Sequence, residues 1–143
     1  ALGRDIPQAP PAAYRAMTWD MVRNLQRTGV TFGPHTMTHP ILATVDDVRA
    51  EAEIFGSWRR LTQETSAPVP VFCYPNGRST DFTERDQKLV EKAGMIAAVS
   101  MIPGAMRTSH RPVAAVDRYA LPRYAYPDDD TEFLQIVSGI ESW

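Results

Sequence analysis

Helical and strand-like segments alternate along this chain. Apolar residues at helical spacing follow four N-cap candidates, which are Thr18, Thr44, Thr83 and Asp130. Short apolar or β-branched runs separate these helices and lie at 30–32, 69–74, 96–101 and 119–126. Parallel strands need a crossover connection, commonly a helix, so alternation of this kind favours a mostly parallel sheet. The sequence therefore predicts an α/β fold.

The longest predicted helix runs from about Asp46 to Glu64. Thr44, with Asp47 three residues later, resembles a capping box at its start. Apolar residues recur along this helix at spacings of three and four and predict one buried face, formed by Val48, Ala52, Phe55, Trp58 and Leu61.

Length and charge limit the classes of protein to consider. The 143 residues fit one domain over 1–143, with residues 1–16 as a Pro- and Ala-rich irregular lead-in. Lys plus Arg is 15 and Asp plus Glu is 17, for a net charge of −2, which argues against a nucleic-acid partner. The single cysteine, Cys73, excludes an intrachain disulfide. No apolar run approaches the roughly 18 residues of a membrane-spanning helix.

Two histidines spaced four apart, His35 and His39, follow a predicted strand. On one helical turn this spacing points both imidazoles the same way, so that both can reach one metal ion. Pro34 and Pro40 bracket the pair and restrict its backbone, which favours a stiff ligand-holding turn. The alternative is that the two histidines are packed core residues. We interpret them as metal ligands because both lie on one short loop after a strand.

A hydrolytic zinc site needs about three protein ligands and an open position for water. The remaining histidine, His110, lies in a polar segment, and we expect it to be solvated. Asp81, Asp86 and Asp117 have suitable side chains, but each is better explained as a turn, cap or surface residue. The sequence does not complete the site.

A second candidate feature is the turn Pro75-Asn76-Gly77, directly after a predicted strand. Such a turn exposes backbone N–H groups, which are suited to stabilise an oxyanion. The alternative is an ordinary strand end without function. We expect Cys73, beside this turn, to be a structural thiol because no basic partner is adjacent.

In this order, residues 17–20, 33–40, 72–77 and 93–101 resemble the polysaccharide deacetylases, which carry the NodB homology domain of carbohydrate esterase family 4. The specific element is the H-[ST]-x-x-H-P pattern that begins at His35. The resemblance runs from Met17 to Pro103 and implies a distorted (β/α) barrel.

The resemblance also implies an activity, which is metal-dependent removal of N-acetyl groups from amino sugars of a cell-wall polysaccharide or exopolysaccharide. It implies a divalent metal, with zinc favoured, bound by His35 and His39. The backbone N–H of Asn76 would stabilise the oxyanion, and Tyr74 and Pro75 would line the sugar groove, a role that an exposed aromatic also suits. An extracytoplasmic location is favoured on the same ground.

This chain departs from the family pattern at several places. The metal-binding and general-base Asp residues of the family lie in an upstream T-F-D-D motif, and residues 1–34 contain no such motif. The C-terminal L-x-H motif is also absent, and Cys73 stands where Arg is frequent. We therefore expect a partial barrel that lacks the first strands and is completed by a missing N-terminal segment or another chain. Two alternative functions are a non-catalytic carbohydrate-binding or scaffold domain and a metal-dependent hydrolase of small non-peptide amides.

Overall fold

A computed structural model describes residues 9–105 and 117–139. Within these ranges the chain forms four α-helices and two β-strands, in the order α1 (Trp19–Arg27), α2 (Asp47–Glu64), β1 (Val71–Cys73), α3 (Glu84–Lys92), β2 (Ala97–Val99) and α4 (Asp130–Ser138). Two short 3-10 helices lie at Ala12–Tyr14 and Leu42–Thr44. None of the helices in the described ranges is long and apolar enough to cross a membrane.

The described residues fall into two compact units, the first ending at Val30 and the second beginning at Thr31. In the first unit, Thr18 caps α1 as predicted, because its side chain accepts a hydrogen bond from the backbone N–H of Met21. The expectation of one domain over 1–143 stays a prediction.

The sheet of the second unit is parallel, as predicted. Strand β1 pairs with β2 in a register that places Phe72 opposite Ala98. The predicted strand at 119–126 is reduced to a single parallel bridge between Val99 and Leu121. That strand prediction is therefore wrong in extent, although the direction of the pairing is parallel.

The predicted strand at 30–32 is not formed. Its continuation still runs beside β1, since the carbonyl of Phe32 accepts from the N–H of Val69 at 2.8 Å and that of Pro34 from Cys73 at 3.0 Å. The two acceptors are thus two residues apart, whereas their two donors are four residues apart, and this mismatch prevents a regular parallel ladder. This irregular pairing holds the start of the histidine loop against β1.

Helix α2 begins one residue later than predicted and with a different cap. The side chain of Asp46 accepts from the N–H of Arg49, whereas Thr44 lies in the preceding 3-10 helix. Asp46 is the N-cap rather than Thr44 because it directly precedes the first helical residue, which is the capping position.

The predicted buried face of α2 is also wrong in part. Val48 is 81% exposed, while Leu61 is buried as predicted. The buried residues of the helix are Ala50, Glu53, Ile54, Ser57 and Leu61. Phe55 and Trp58 are partly buried at the edge of the core.

The core of the second unit lies between the sheet and helices α2 and α3. Its buried apolar residues are Leu42, Ala50, Ile54, Phe72, Tyr74, Phe82, Val90, Met95 and Ala98. Helix α3 begins with the predicted cap at Thr83, which forms a capping box with Asp86. Asp129 caps α4, and its side chain accepts from two backbone N–H groups.

Candidate metal centre

The two histidines lie on an exposed loop that follows the segment 32–34, which runs beside β1, and precedes α2. The ring centroids of His35 and His39 are 4.8 Å apart, with the ring planes at 77°. The loop is not a helical turn, because Thr36 and His39 have φ values of 65° and 58° in the left-handed region. The predicted proximity of the two rings is therefore present, but the predicted helical turn is wrong.

The left-handed backbone at Thr36 needs support from its surroundings. Such a conformation costs roughly 1–2 kcal/mol for a residue with a Cβ, so it persists where other contacts fix it. The hydroxyl of Thr36 donates to the carbonyl of His35 at 2.5 Å and accepts from the N–H of His39 at 3.1 Å. One hydroxyl thus links the backbones of both histidines.

The imidazole of His35 is oriented by the last residue of β1. Its Nδ1 lies 2.6 Å from the carbonyl oxygen of Cys73. A carbonyl oxygen only accepts, so Nδ1 is the donor of this hydrogen bond, an arrangement that in a neutral imidazole leaves the lone pair on Nε2. A metal-binding histidine needs this arrangement, with one nitrogen free and the other hydrogen-bonded.

A buried carboxylate lies behind the loop. Glu53 of α2 is 6% exposed, and its Oε2 accepts from the N–H groups of Met37 and Thr38, each at 2.8 Å. Its Oε1 accepts from the hydroxyl of Thr38. These three donors all come from residues between the two histidines. Sequence reasoning missed Glu53, because a charged residue on a long helix is usually solvated.

Glu53 is held in its charged form by these contacts. Desolvation by burial raises the pKa of its carboxyl. The hydrogen bonds from Thr38 and Met37, together with the positive charge of Arg49, outweigh that effect, so that the pKa lies below its ordinary value. The loop therefore packs on a carboxylate rather than on a neutral acid.

The predicted turn at Pro75-Asn76-Gly77 is present after β1, with left-handed backbone at two of its residues. Asn76 and Gly77 have φ values of 56° and 75°, and the carbonyl of Gly77 accepts from the N–H of Met101 at 2.7 Å. Asn76 is exposed. Among the described residues, its backbone N–H has no protein acceptor. The N–H is thus free to meet a ligand atom.

The turn and the histidine loop lie at the same end of β1. His35 contacts the carbonyl of Cys73, and Asn76 follows Cys73 by three residues. The carboxyl end of a parallel strand is where loops carry chemistry in α/β folds. The structure therefore brings together the two loops that the sequence singled out.

Tyr74 does not have the predicted exposure. Its side chain is 1% exposed, its ring stacks on Phe82 at a centroid distance of 4.0 Å, and its hydroxyl donates to the carbonyl of Tyr119 at 2.9 Å. Pro75 is buried as well. The expectation of an exposed aromatic at position 74 is therefore wrong, because this side chain belongs to the core under the turn. That Tyr74 and Pro75 contribute to a sugar groove stays a prediction.

The other ligand candidates have structural roles or lie elsewhere. Buried Asp81 accepts from the N–H of Arg78, and Asp86 caps α3 and contacts Arg85. Within residues 9–105 and 117–139, no group of three or more His, Cys, Asp or Glu side chains is placed to hold a metal. His110 lies outside the described residues. The described chain thus offers two ligands, His35 and His39.

Comparison with known proteins identifies the family. A family model for polysaccharide deacetylases matches residues 6–98. The chain belongs to the polysaccharide deacetylase family, which confirms the resemblance seen in its sequence. No curated protein sequence matches the chain significantly.

Solved structures of low sequence identity share the fold. Streptococcus pyogenes deacetylase PplD, solved in complex with acetate, matches 87% of this chain at a TM-score of 0.70 and 20% identity. BC0361, a polysaccharide deacetylase from Bacillus cereus, matches 90% at a TM-score of 0.70 and 22% identity. The fold is therefore the predicted α/β, partial NodB-like one. The chain spans 52% of the length of PplD and 38% of that of BC0361.

Proposed function

We propose that this protein is a metal-dependent hydrolase that removes N-acetyl groups from the amino sugars of a polysaccharide. The observation that carries the proposal is the imidazole pair, in which the hydrogen bond from Nδ1 of His35 to Cys73 leaves Nε2 available to a metal. Membership of the polysaccharide deacetylase family supports the substrate class. The acetate bound to PplD is the product that such a reaction would release.

The donor set fits a divalent ion, with zinc favoured. Neutral imidazole is a preferred zinc ligand, and both rings are exposed on one loop. A catalytic zinc site has three protein ligands, so His35 and His39 would supply two of them. We place the third ligand and the general base outside the described residues or in a partner chain.

When bound, the ion would supply Lewis-acid polarisation of the acetamide carbonyl and an activated water. The protein residues would orient the reacting group around it. The N–H of Asn76, which has no protein acceptor among the described residues, would donate to the oxyanion that develops on the acetamide, which is a typical role for a fixed backbone donor. Buried Tyr74 and Pro75 would support this turn from the core side and would bind substrate only through the backbone that they position.

One observation favours a second candidate function. Among the described residues, no group of three His, Cys, Asp or Glu side chains is placed to hold a metal. A non-catalytic carbohydrate-binding or scaffold relative of the same fold would have the same feature. Under that hypothesis the protein binds the polysaccharide without hydrolysing it.

Zinc binding and hydrolysis separate these candidates. We expect one Zn²⁺ per chain by calorimetry, lost in the double variant His35→Ala/His39→Ala and retained in the exposed α2 control Gln63→Ala. Acetate release should be measured from N-acetylglucosamine oligomers and from small cyclic amides. Oligomer binding without acetate release would favour the non-catalytic candidate. Activity on small amides alone would transfer the proposal to that substrate class, and unchanged zinc binding in the double variant would exclude this histidine site.

A further inference from the structure

The buried carboxylate of Glu53 has no role in the proposed chemistry, yet the donors that hydrogen-bond to it belong to the histidine loop. Its two oxygens accept from Met37 and Thr38, the residues at the centre of the stretch between His35 and His39. A buried carboxylate is costly unless it is fully hydrogen-bonded. Here the loop supplies the hydrogen bonds.

The loop in turn depends on this contact. Two of its residues, Thr36 and His39, have left-handed backbones, and the segment contains no regular secondary structure. Strained backbone persists only where the surroundings over-determine it. Thr36 links the backbones of the two histidines to each other, whereas Glu53 links the loop to the rigid helix α2. Without Glu53, the N–H groups of Met37 and Thr38 would lose their acceptor.

Glu53 is unsuited to act on substrate directly. Both of its oxygens already accept hydrogen bonds, and its side chain is almost completely buried. Its neighbour Glu51, two residues earlier on α2, is exposed instead and pairs with Lys92 at 3.6 Å. Burial and saturation of the carboxylate indicate a positioning role.

We propose that Glu53 is a positioning residue that fixes His35 and His39 in the arrangement that binds a metal. The proposal rests on the metal site of the proposed function. It predicts that a change at position 53 reaches the imidazoles through the backbone of residues 37 and 38, without direct contact between Glu53 and either ring.

The test compares Glu53→Gln with the matched control Glu51→Gln. Glutamine keeps the size of the side chain but replaces one acceptor oxygen by an N–H donor, which faces other donors. We expect Glu53→Gln to fold and to weaken Zn²⁺ binding by about 10- to 100-fold, the usual effect of losing an outer partner of a metal ligand. Glu51→Gln should bind Zn²⁺ as tightly as the wild type.

A metal-free measurement separates positioning from simple stabilisation. In ¹⁵N NMR of the imidazole rings, His35 of the wild type should show the Nδ1–H tautomer that its contact with Cys73 requires. Glu53→Gln should lose this signature at temperatures far below its unfolding midpoint, and Glu51→Gln should keep it. An unchanged tautomer together with unchanged Zn²⁺ affinity in Glu53→Gln would overturn the proposal.

Two further outcomes are informative. If Glu53→Gln does not fold, Thr38→Val removes one donor to Glu53, and Thr38→Ser restores it. The tautomer and the Zn²⁺ affinity should then be lost in the first variant and recovered in the second, and equal behaviour of the two would contradict the proposal. If the wild type binds no Zn²⁺ and Glu53→Gln loses the Nδ1–H tautomer of His35, the metal site of the proposed function fails. The positioning of the loop by Glu53 is then still supported.

Discussion

The carbonyl oxygen of Val71 occupies the place where a side chain at Gly33 would begin. A Cβ atom at position 33 would lie 2.5 Å from this oxygen, far inside van der Waals contact. Gly33 directly precedes the Pro34–His35 step, so this close approach allows the histidine loop to start against β1. The absence of a side chain at residue 33 is a steric requirement.

We expect Gly33→Ala to destabilise the fold by about 2 kcal/mol or more, since the neighbouring atom belongs to backbone and cannot rotate away. Gly56→Ala is the control, because its Cβ would meet only the exposed side chain of Met37 at 3.1 Å. Alanine also favours the helix by about 1 kcal/mol at that position. Urea unfolding of both variants measures the difference, and equal stabilities would contradict the close approach.

The second prediction concerns the buried Asp86. It is 0% exposed, caps α3 through Thr83, and contacts the Arg85 guanidinium at 2.8 Å. Asp86→Ala leaves the N–H and the hydroxyl of Thr83 without their acceptor and removes the capping carboxylate from α3, so it should lower the free energy of unfolding by about 2–3 kcal/mol. Asp47→Ala removes the exposed partner of Arg85 and should cost less than about 1 kcal/mol. The same cost for both variants, by thermal or urea unfolding, would show that burial does not decide the effect.

The third prediction concerns Tyr74 at high pH. Burial, with smaller contributions from the charges of Asp86 and Asp117, raises its pKa well above the ordinary value of 10.0. The unfolded chain therefore ionises first, and the contribution of Tyr74 to stability is complete below pH 10 and lost as pH rises further. Tyr74→Phe should be about 1–2 kcal/mol less stable at pH 7, since it leaves the carbonyl of Tyr119 without its donor.

The difference between wild type and Tyr74→Phe should then shrink above about pH 10, as the linkage requires. Unfolding curves at pH 7, 9 and 10.5 check this. A difference that stays constant over this range would argue against a buried, neutral Tyr74.

The fourth prediction concerns Glu53 at low pH. Its pKa is lower in the folded protein than the ordinary value of 4.5, so its carboxylate contributes stability that is complete above that value. The contribution is lost as pH falls through the folded-state pKa. The stability difference between wild type and Glu53→Gln should therefore shrink as pH falls below 4.5, whereas Glu51→Gln controls for the loss of one negative charge. Parallel profiles for wild type and Glu53→Gln would falsify this prediction.

Local signals in the sequence were sufficient for much of the fold. The cap at Thr83 follows from residue types within a few positions, and the parallel pairing of β1 with β2 follows from the alternation of strands with helices. The buried face of α2 does not follow from such signals, because apolar residues lie on more than one side of this helix. Tertiary contact selects Ile54 for the core and leaves Val48 in solvent.

The candidate site was predictable in its ligands but not in its support. The spacing of His35 and His39 indicated a shared metal without specifying the backbone, and the loop reaches the same proximity through left-handed residues. Glu53 was not predictable, since only the fold places the loop's N–H groups over it. One weak signal was its spacing of three and four residues from Ala50 and Ser57, both of which are buried.

The partner of His35 is a main-chain oxygen, and this has a consequence for how the site tolerates change during evolution. Every residue type at position 73 offers the same carbonyl, so the side chain there can change without removing the hydrogen-bond acceptor of the ring. The thiol of Cys73 stands at a place where Arg is frequent in the family pattern, and it is compatible with the same hydrogen bond. Glu53 has no such freedom, because the acceptors it offers belong to its side chain.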